Sequence, residues 1–214
     1  MESDPNPASL LTDGIRALQI DFHDRHLEQL LAHVREISMW NRRTNLVKAG
    51  ESELIKKHIL DSLAGVHLIK DLNPGSILDA GSGAGFPGVP LAIFLPKIRV
   101  VLLERSEKRA AFLQNVKAIA GLVNSTVVNE PVERHSAKYD LVCCRAFMSF
   151  DEALPLLLPR VAEKGALLFY KGKRTVVDDE LSYLPPKMAS RIIKISVPFL
   201  NDERHLLLLR QTNR

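Results

Sequence analysis

Ile77-Leu78-Asp79-Ala80-Gly81-Ser82-Gly83-Ala84-Gly85-Phe86-Pro87-Gly88 is an apolar strand that runs into a loop with four glycines. An apolar helix follows. Glycine reaches backbone angles closed to other residues and lets a ligand approach the main chain. A helix N-terminus behind such a loop offers free amides to that ligand. The bland alternative is a tight strand-to-helix turn that binds nothing.

Downstream of the loop the chain alternates short apolar strands with helices. Strands are predicted at Ile77–Ala80, Val100–Glu104, Thr126–Asn129, Leu141–Cys144 and Ala166–Tyr170. Helices are predicted at Ser106–Ala120 and Phe150–Leu158. This alternation implies right-handed crossovers and a parallel sheet. Arg191–Val197 and His205–Arg210 are separated only by Pro198–Glu203, too short for a helix, so they are expected to pair antiparallel.

Upstream, residues 8–70 read as helical. Asp21 is the expected cap of a helix carrying Leu27, Leu30, Leu31, Val34 and Ile37 at three- and four-residue spacing. A polar stretch, Asn41–Ser52, follows. Ser52 is the expected cap of a second helix with Leu54, Ile55, Ile59, Leu63 and Val66, which Asn73-Pro74-Gly75 stops. The chain thus divides into a helical segment, residues 1–75, and an α/β domain, residues 76–214, with the helical segment packed on that domain.

With 214 residues there is no room for two full-sized domains. The formal net charge of +4 permits a nucleic-acid partner without requiring one. Cys143 and Cys144 are adjacent, hence on opposite faces of a strand, and read as reduced core residues. No cysteine and histidine cluster has zinc spacing, so no metal is expected. Met1–Pro7 is polar and acidic, unlike a secretory leader, and apolar runs stop short of membrane-spanning length. A cytoplasmic protein without membrane contact is expected.

Two features sharpen the glycine loop. Glu104 ends the second strand, 19 residues after Gly85, where a carboxylate can accept both hydroxyls of a ribose. Its alternative is an exposed strand-end acid. Gly83-Ala84-Gly85-Phe86-Pro87-Gly88 also fits the dinucleotide pattern GxGxxG, which is weak alone and leaves a nicotinamide oxidoreductase open. Asp79 just before the glycines, and the lack of a second domain for a dehydrogenase substrate, favour S-adenosylmethionine. Asp79 then faces the cationic end of the cofactor, caps loop amides, or does both.

Trp40-Asn41 with Asn45-Leu46, His58-Ile59-Leu60-Asp61-Ser62, Gly81–Gly88, Lys108-Arg109 with Phe112-Leu113, Arg145-Ala146-Phe147, Lys171-Gly172 and Glu203-Arg204-His205-Leu206 stand in an order and spacing that are specific together. From about Ser38 to Arg210 the chain resembles the RsmG family, also called GidB, of bacterial 16S ribosomal RNA methyltransferases. The resemblance implies a doubly wound, mostly parallel sheet of the S-adenosylmethionine-dependent methyltransferase type, with a C-terminal antiparallel hairpin and an N-terminal helical extension. It implies methylation of N7 of a guanosine in the decoding-region loop of 16S rRNA, met as naked RNA or in the small ribosomal subunit, by a monomer. It places Gly81, Phe86, Val132, Glu133 and Arg145 in the cofactor pocket, with Val132 and Glu133 near the adenine. Related sequences often carry Ser where Cys144 stands, and some carry Asp at Glu104.

The remaining candidates come from position. Asp79, Gly81, Gly83, Gly85, Phe86 and Glu104 form the cofactor loop and its acidic partners. Arg145 and Lys171 end the fourth and fifth strands, the edge where open α/β sheets bind ligands, and are the catalytic candidates. Arg145 forks onto the cofactor carboxylate, a phosphate or the guanine edge, or merely fixes its loop. Lys171 contacts a phosphate or is solvated. Arg42, Arg43, Asn45, Lys48, His58, Lys173 and Arg204 are the RNA-binding candidates. Trp40 reads as core, His58 and Asp61 as a helical pair, and His23, His26 and His33 as surface or capping residues. A non-catalytic RNA-binding protein and a small-molecule methyltransferase are the other readings left open.

Overall fold

The computed structural model describes residues 6–212. The leader reading of Met1–Pro7 lies mostly outside them. The sheet contains β1 (Ser76–Ala80), β2 (Arg99–Leu103), β3 (Ser125–Val128), β4 (Tyr139–Arg145), β5 (Val161–Lys171), β6 (Met188–Ile195) and β7 (Arg204–Gln211). Their spatial order is β3-β2-β1-β4-β5-β7-β6. The first five strands are mutually parallel, and β7 lies antiparallel between β5 and β6. The parallel sheet and the antiparallel C-terminal hairpin are as expected.

The order of the last two strands follows from their side chains. His205–Leu209 is buried without interruption, which suits a strand flanked and covered on both sides. Met188–Ile195 carries exposed Arg191 and Lys194, which suits an edge. The sheet has two faces. Ile77, Val100, Leu102, Leu141 and Cys143 join one buried cluster; Leu78, Val101, Leu103, Val142 and Cys144 join the other. The adjacent cysteines therefore face opposite ways, both reduced and buried.

The first face is covered by α1 (Pro7–Ala17), α2 (Asp24–Thr44), α6 (Gly88–Phe94) and α7 (Glu107–Ile119), which contribute Leu11, Ile37, Val89 and Phe112 to the first cluster. Between α2 and the sheet lie α3 (Glu51–Leu54), a π-helical turn (Ile55–Leu60), α4 (Asp61–Leu63) and α5 (Val66–Leu72). The second face carries α8 (Phe150–Leu157) and α9 (Arg174–Leu181). No helix among the described residues is long and apolar enough to cross a membrane.

Three N-terminal expectations need correction. Asp21 does not cap α2; the extended residue before the helix is His23, whose amide donates to His26 Nδ1 at 3.2 Å. Gly50, not Ser52, precedes α3, and Glu51 and Glu53 place negative charge at its positive end. The second long helix is broken. At its break the Tyr170 hydroxyl donates to the Ser62 carbonyl at 3.0 Å, and a Cβ on Gly65 would lie 2.4 Å from that hydroxyl oxygen. The contact requires glycine at position 65, because any side chain there would meet the tyrosine. Asn73 does end α5, in the left-handed conformation. Trp40 packs edge-on against Phe112, ring centres 5.5 Å apart, as a core residue.

Candidate functional site

Two cavities open at the C-terminal edge of the parallel strands. The first, about 350 Å³, is lined by Gly81, Leu103, Glu104, Val132, Glu133 and the turn Ala146–Met148, among others. Glu104 is 3 % exposed, so it is not a loose strand-end acid. Its Oε2 accepts from the Gly83 amide at 2.9 Å and its Oε1 from the Ser106 amide at 2.8 Å. The carboxylate thereby sets the loop and the start of α7. Each oxygen keeps a further lone pair for a ligand hydroxyl. Asn129 donates to the Glu104 carbonyl at 2.8 Å, which fixes that backbone too.

The glycines divide by role. Gly81 has φ +71°, and a Cβ there would lie 2.2 Å from Phe147 Cδ2. Gly83 has φ +58°, yet a Cβ would meet nothing nearer than the Gly81 carbonyl oxygen at 3.8 Å, leaving open space over the loop. Gly85 serves packing, since a Cβ would press on Val89 and His33. Asp79 is fully buried and walls neither cavity near the glycine loop. Its Oδ2 accepts from the Gly88 amide at 2.9 Å, so it caps the loop. Oδ1 has no hydrogen-bond partner among the described residues, and burial pushes the carboxyl up to about 7. Phe86 is also displaced from its expected role. It is buried beneath Arg145, whose guanidinium carbon lies 5.2 Å from the ring centre, and lines neither cavity.

His33 was the residue that sequence reasoning missed. It is fully buried, not on the surface. Its Nε2 lies 2.7 Å from the Ala84 carbonyl oxygen, and its ring packs on Phe86 at 4.9 Å. A carbonyl only accepts, so Nε2 carries the proton. Burial lowers the pKa to about 4. The unfolded chain therefore takes up a proton as pH falls below 6.5 while the folded protein does not. Relative to a His33→Gln variant, the wild type should lose stability between pH 6.5 and 4, by on the order of 3 kcal/mol over the window. Paired urea denaturation curves across that range check this; parallel pH profiles would remove the assignment.

The second cavity, about 530 Å³, adjoins the first and contains Lys57, His58, Asp61, Arg145, Lys171 and Arg204. Asp61 is 3 % exposed. Its Oδ2 accepts from Arg145 at 3.1 Å, and its Oδ1 pairs with Arg204 Nε at 3.2 Å. Arg145 also donates to the Lys57 carbonyl at 3.0 Å and to His58 Nδ1. Burial, aided by the Arg145 charge, lowers His58 to about 4, which keeps its imidazole a neutral acceptor. His58 and Asp61 therefore do not pair with each other; both hold Arg145.

Lys171 is not a free cation. It pairs with Glu180 at 2.7 Å and sits 5.2 and 5.0 Å from the rings of Phe150 and Phe169. Arg42, Arg43, Asn45 and Lys48 are exposed at the end of α2 and after it, and Lys173 is exposed before α9. None of the five lines either cavity. The Val132–Glu133 segment does wall the first cavity, and Arg160 holds it, donating to the Val132 carbonyl at 2.9 Å. Arg105 and Arg109 line that cavity as well; Arg109 belongs to the Lys108-Arg109 segment of the resemblance, and Arg105 to none of its segments.

The family described as rRNA small subunit methyltransferase G, GidB, matches residues 26–207. This chain belongs to that family. Two curated relatives carry the name Ribosomal RNA small subunit methyltransferase G. The one from Nitrosospira multiformis is 36% identical over 98% of this chain and 100% of its own length. The one from Borrelia turicatae is 34% identical over 92% of this chain and 96% of its own. Among solved structures, a putative O-methyltransferase from Klebsiella pneumoniae superposes with a TM-score of 0.60 at 11% identity, covering 96% of this chain and 97% of that one. That likeness concerns the fold. Of the GidB segments in this chain, His58–Ser62, Arg145–Phe147 and Glu203–Leu206 reach the second cavity, and the glycine loop reaches the first through Gly81.

Proposed function

We propose that this chain transfers a methyl group from S-adenosylmethionine to N7 of a guanosine in the decoding-region loop of bacterial 16S rRNA. Family membership supports the enzyme class and the cofactor. One structural observation carries the rest: two adjoining cavities, one lined by several carboxylates and the other by several cationic side chains. The first is lined by Glu104, Glu130, Glu133 and Glu152 against Arg105 and Arg109. That suits a cofactor carrying a sulfonium and an ammonium beside one carboxylate. The second offers Arg145 and Arg204 against Asp61, with Lys57 and Lys171 beside their partners Glu53 and Glu180. That suits a phosphodiester chain.

Bound S-adenosylmethionine supplies an already activated methyl group. In this reading Glu104 accepts the ribose hydroxyls, Gly83 leaves room for the cofactor over the loop while Gly81 leaves room for Phe147, and Val132 and Glu133 face the adenine. Asp79 acts through the loop, by holding Gly88. Guanine N7 has a free lone pair and no proton, so no general base is needed, and the residues mainly align the reacting groups. Arg145, held by Asp61 and His58, directs the RNA or the cofactor carboxylate. Lys171 serves as a paired wall of the groove. Arg42, Arg43, Asn45, Lys48 and Lys173 extend the RNA contact beyond the groove, so that the helical segment, residues 1–75, contributes to substrate binding. The same reading takes the enzyme as a cytoplasmic monomer that uses no metal.

The test is transfer of labelled methyl from S-adenosylmethionine to 16S rRNA and to small subunits lacking the modification, with the labelled nucleoside identified. The expected product is 7-methylguanosine at one decoding-region site. Cofactor binding without transfer to either substrate would overturn the reading. S-adenosylhomocysteine should raise the melting temperature and NAD should not.

A further inference from the structure

Three residues belong to both cavities: Ala146, Phe147 and Met148. They form the turn that follows β4. Ala146 holds φ +49°, a left-handed conformation uncommon for a residue with a side chain. The centre of the turn is Phe147, half-buried, with its ring against Gly81 of the cofactor loop. A group that passes from the first cavity to the second passes this turn. Ala146 brings only a methyl group and Met148 a flexible thioether, whereas Phe147 brings a rigid aromatic face.

The chemistry gives that face a task. N7 donates its lone pair to the methyl carbon, and the carbon–sulfur pair stays with sulfur, which becomes a neutral thioether. No proton moves, and the positive charge passes from sulfur to the base. Asp61, the carboxylate of the second cavity, is already engaged by Arg145 and Arg204. An aromatic face attracts a cation placed over it and stacks on a nucleobase. We propose that Phe147 is a catalytic residue: its ring forms the aperture between the cavities, stacks on the target guanine, and stabilises the charge the base acquires. This rests on the rRNA methylation reading above.

The experiment uses the full chain with Phe147→Leu, Phe147→Tyr and Phe147→Trp. Single-turnover methyl transfer to small subunits lacking the modification is measured beside S-adenosylhomocysteine affinity and melting temperature. Phe147→Leu keeps an apolar side chain and removes the π face. It should slow transfer about tenfold or more while cofactor affinity stays within about threefold. Phe147→Tyr and Phe147→Trp should stay within about threefold of wild type in rate. If leucine lowers the melting temperature, Phe147→Met supplies a second non-aromatic variant.

An unchanged rate in the non-aromatic variants would overturn the proposal. So would an equal loss in all variants, which would make shape the requirement, or a loss confined to cofactor affinity, which would make Phe147 only a wall. A wild type that binds cofactor and methylates no rRNA refutes the underlying reading and takes this proposal with it. The variant pattern tests Phe147 alone.

Discussion

Replacing Asp61 by alanine should abolish methyl transfer to RNA and lower stability by about 3–5 kcal/mol. Asp61 is a buried carboxylate between two guanidiniums, with side-chain exposures of 15% for Arg145, 5% for Asp61 and 23% for Arg204. Removing it leaves two partly desolvated cations facing each other, and a charge stripped of its partner costs more than the pair itself contributed. Arg145 would retain only the Lys57 carbonyl and His58 Nδ1. The second cavity would lose its shape while the first, which Asp61 does not line, stays intact. Urea denaturation, S-adenosylhomocysteine titration and methyl transfer together test this. Stability and transfer both near wild type would show that Asp61 does not organise the groove. Asp61→Asn, which keeps the volume and one acceptor, should fall between.

Glu104→Ala should raise the dissociation constant for S-adenosylhomocysteine about 100-fold or more, since each hydrogen bond to a charged group contributes about 1.5–3 kcal/mol. The substitution removes the proposed acceptors for the ribose hydroxyls and frees the Gly83 and Ser106 amides that the carboxylate holds. Glu104→Gln should be nearly as damaging. Both carboxylate oxygens face backbone N–H donors, so an amide sets its NH2 against one of them whichever way it turns. Glu104→Asp keeps both acceptors on a shorter stem and should recover part of the affinity. Calorimetric titration of the three variants decides the matter, and a change in Glu104→Ala below about threefold would remove the carboxylate from the cofactor site.

The conformation of the glycine loop was legible because its requirements are local. Glycine at 81, 83 and 85 reports positive φ, and each of these residues has it. Glu104 was legible because one helix and one strand fix its distance from the loop. The pairing of Lys171 was not legible, because its position at a strand end says nothing of Glu180, which reaches it from α9. His33 and Phe86 were misjudged for a related reason. The first read as one histidine among several on a helix, and the second as a loop residue beside a ligand. Only packing α2 against the loop brings them together under Ala84 and Arg145.

The sequence by itself determined the alternation of strands and helices, the glycine loop with its acidic partner, and the antiparallel pairing of the last two strands. These depend on periodicity, turn chemistry and connection length, which are properties of neighbouring residues. Only the tertiary structure decided that β7 enters between β5 and β6, that the Tyr170 hydroxyl bonds the Ser62 carbonyl beside Gly65, and that Asp61 grips Arg145 and Arg204 from residues 84 and 143 positions away. Such contacts join segments distant in the chain, and their energies depend on burial and charge pairing that no short stretch of sequence contains.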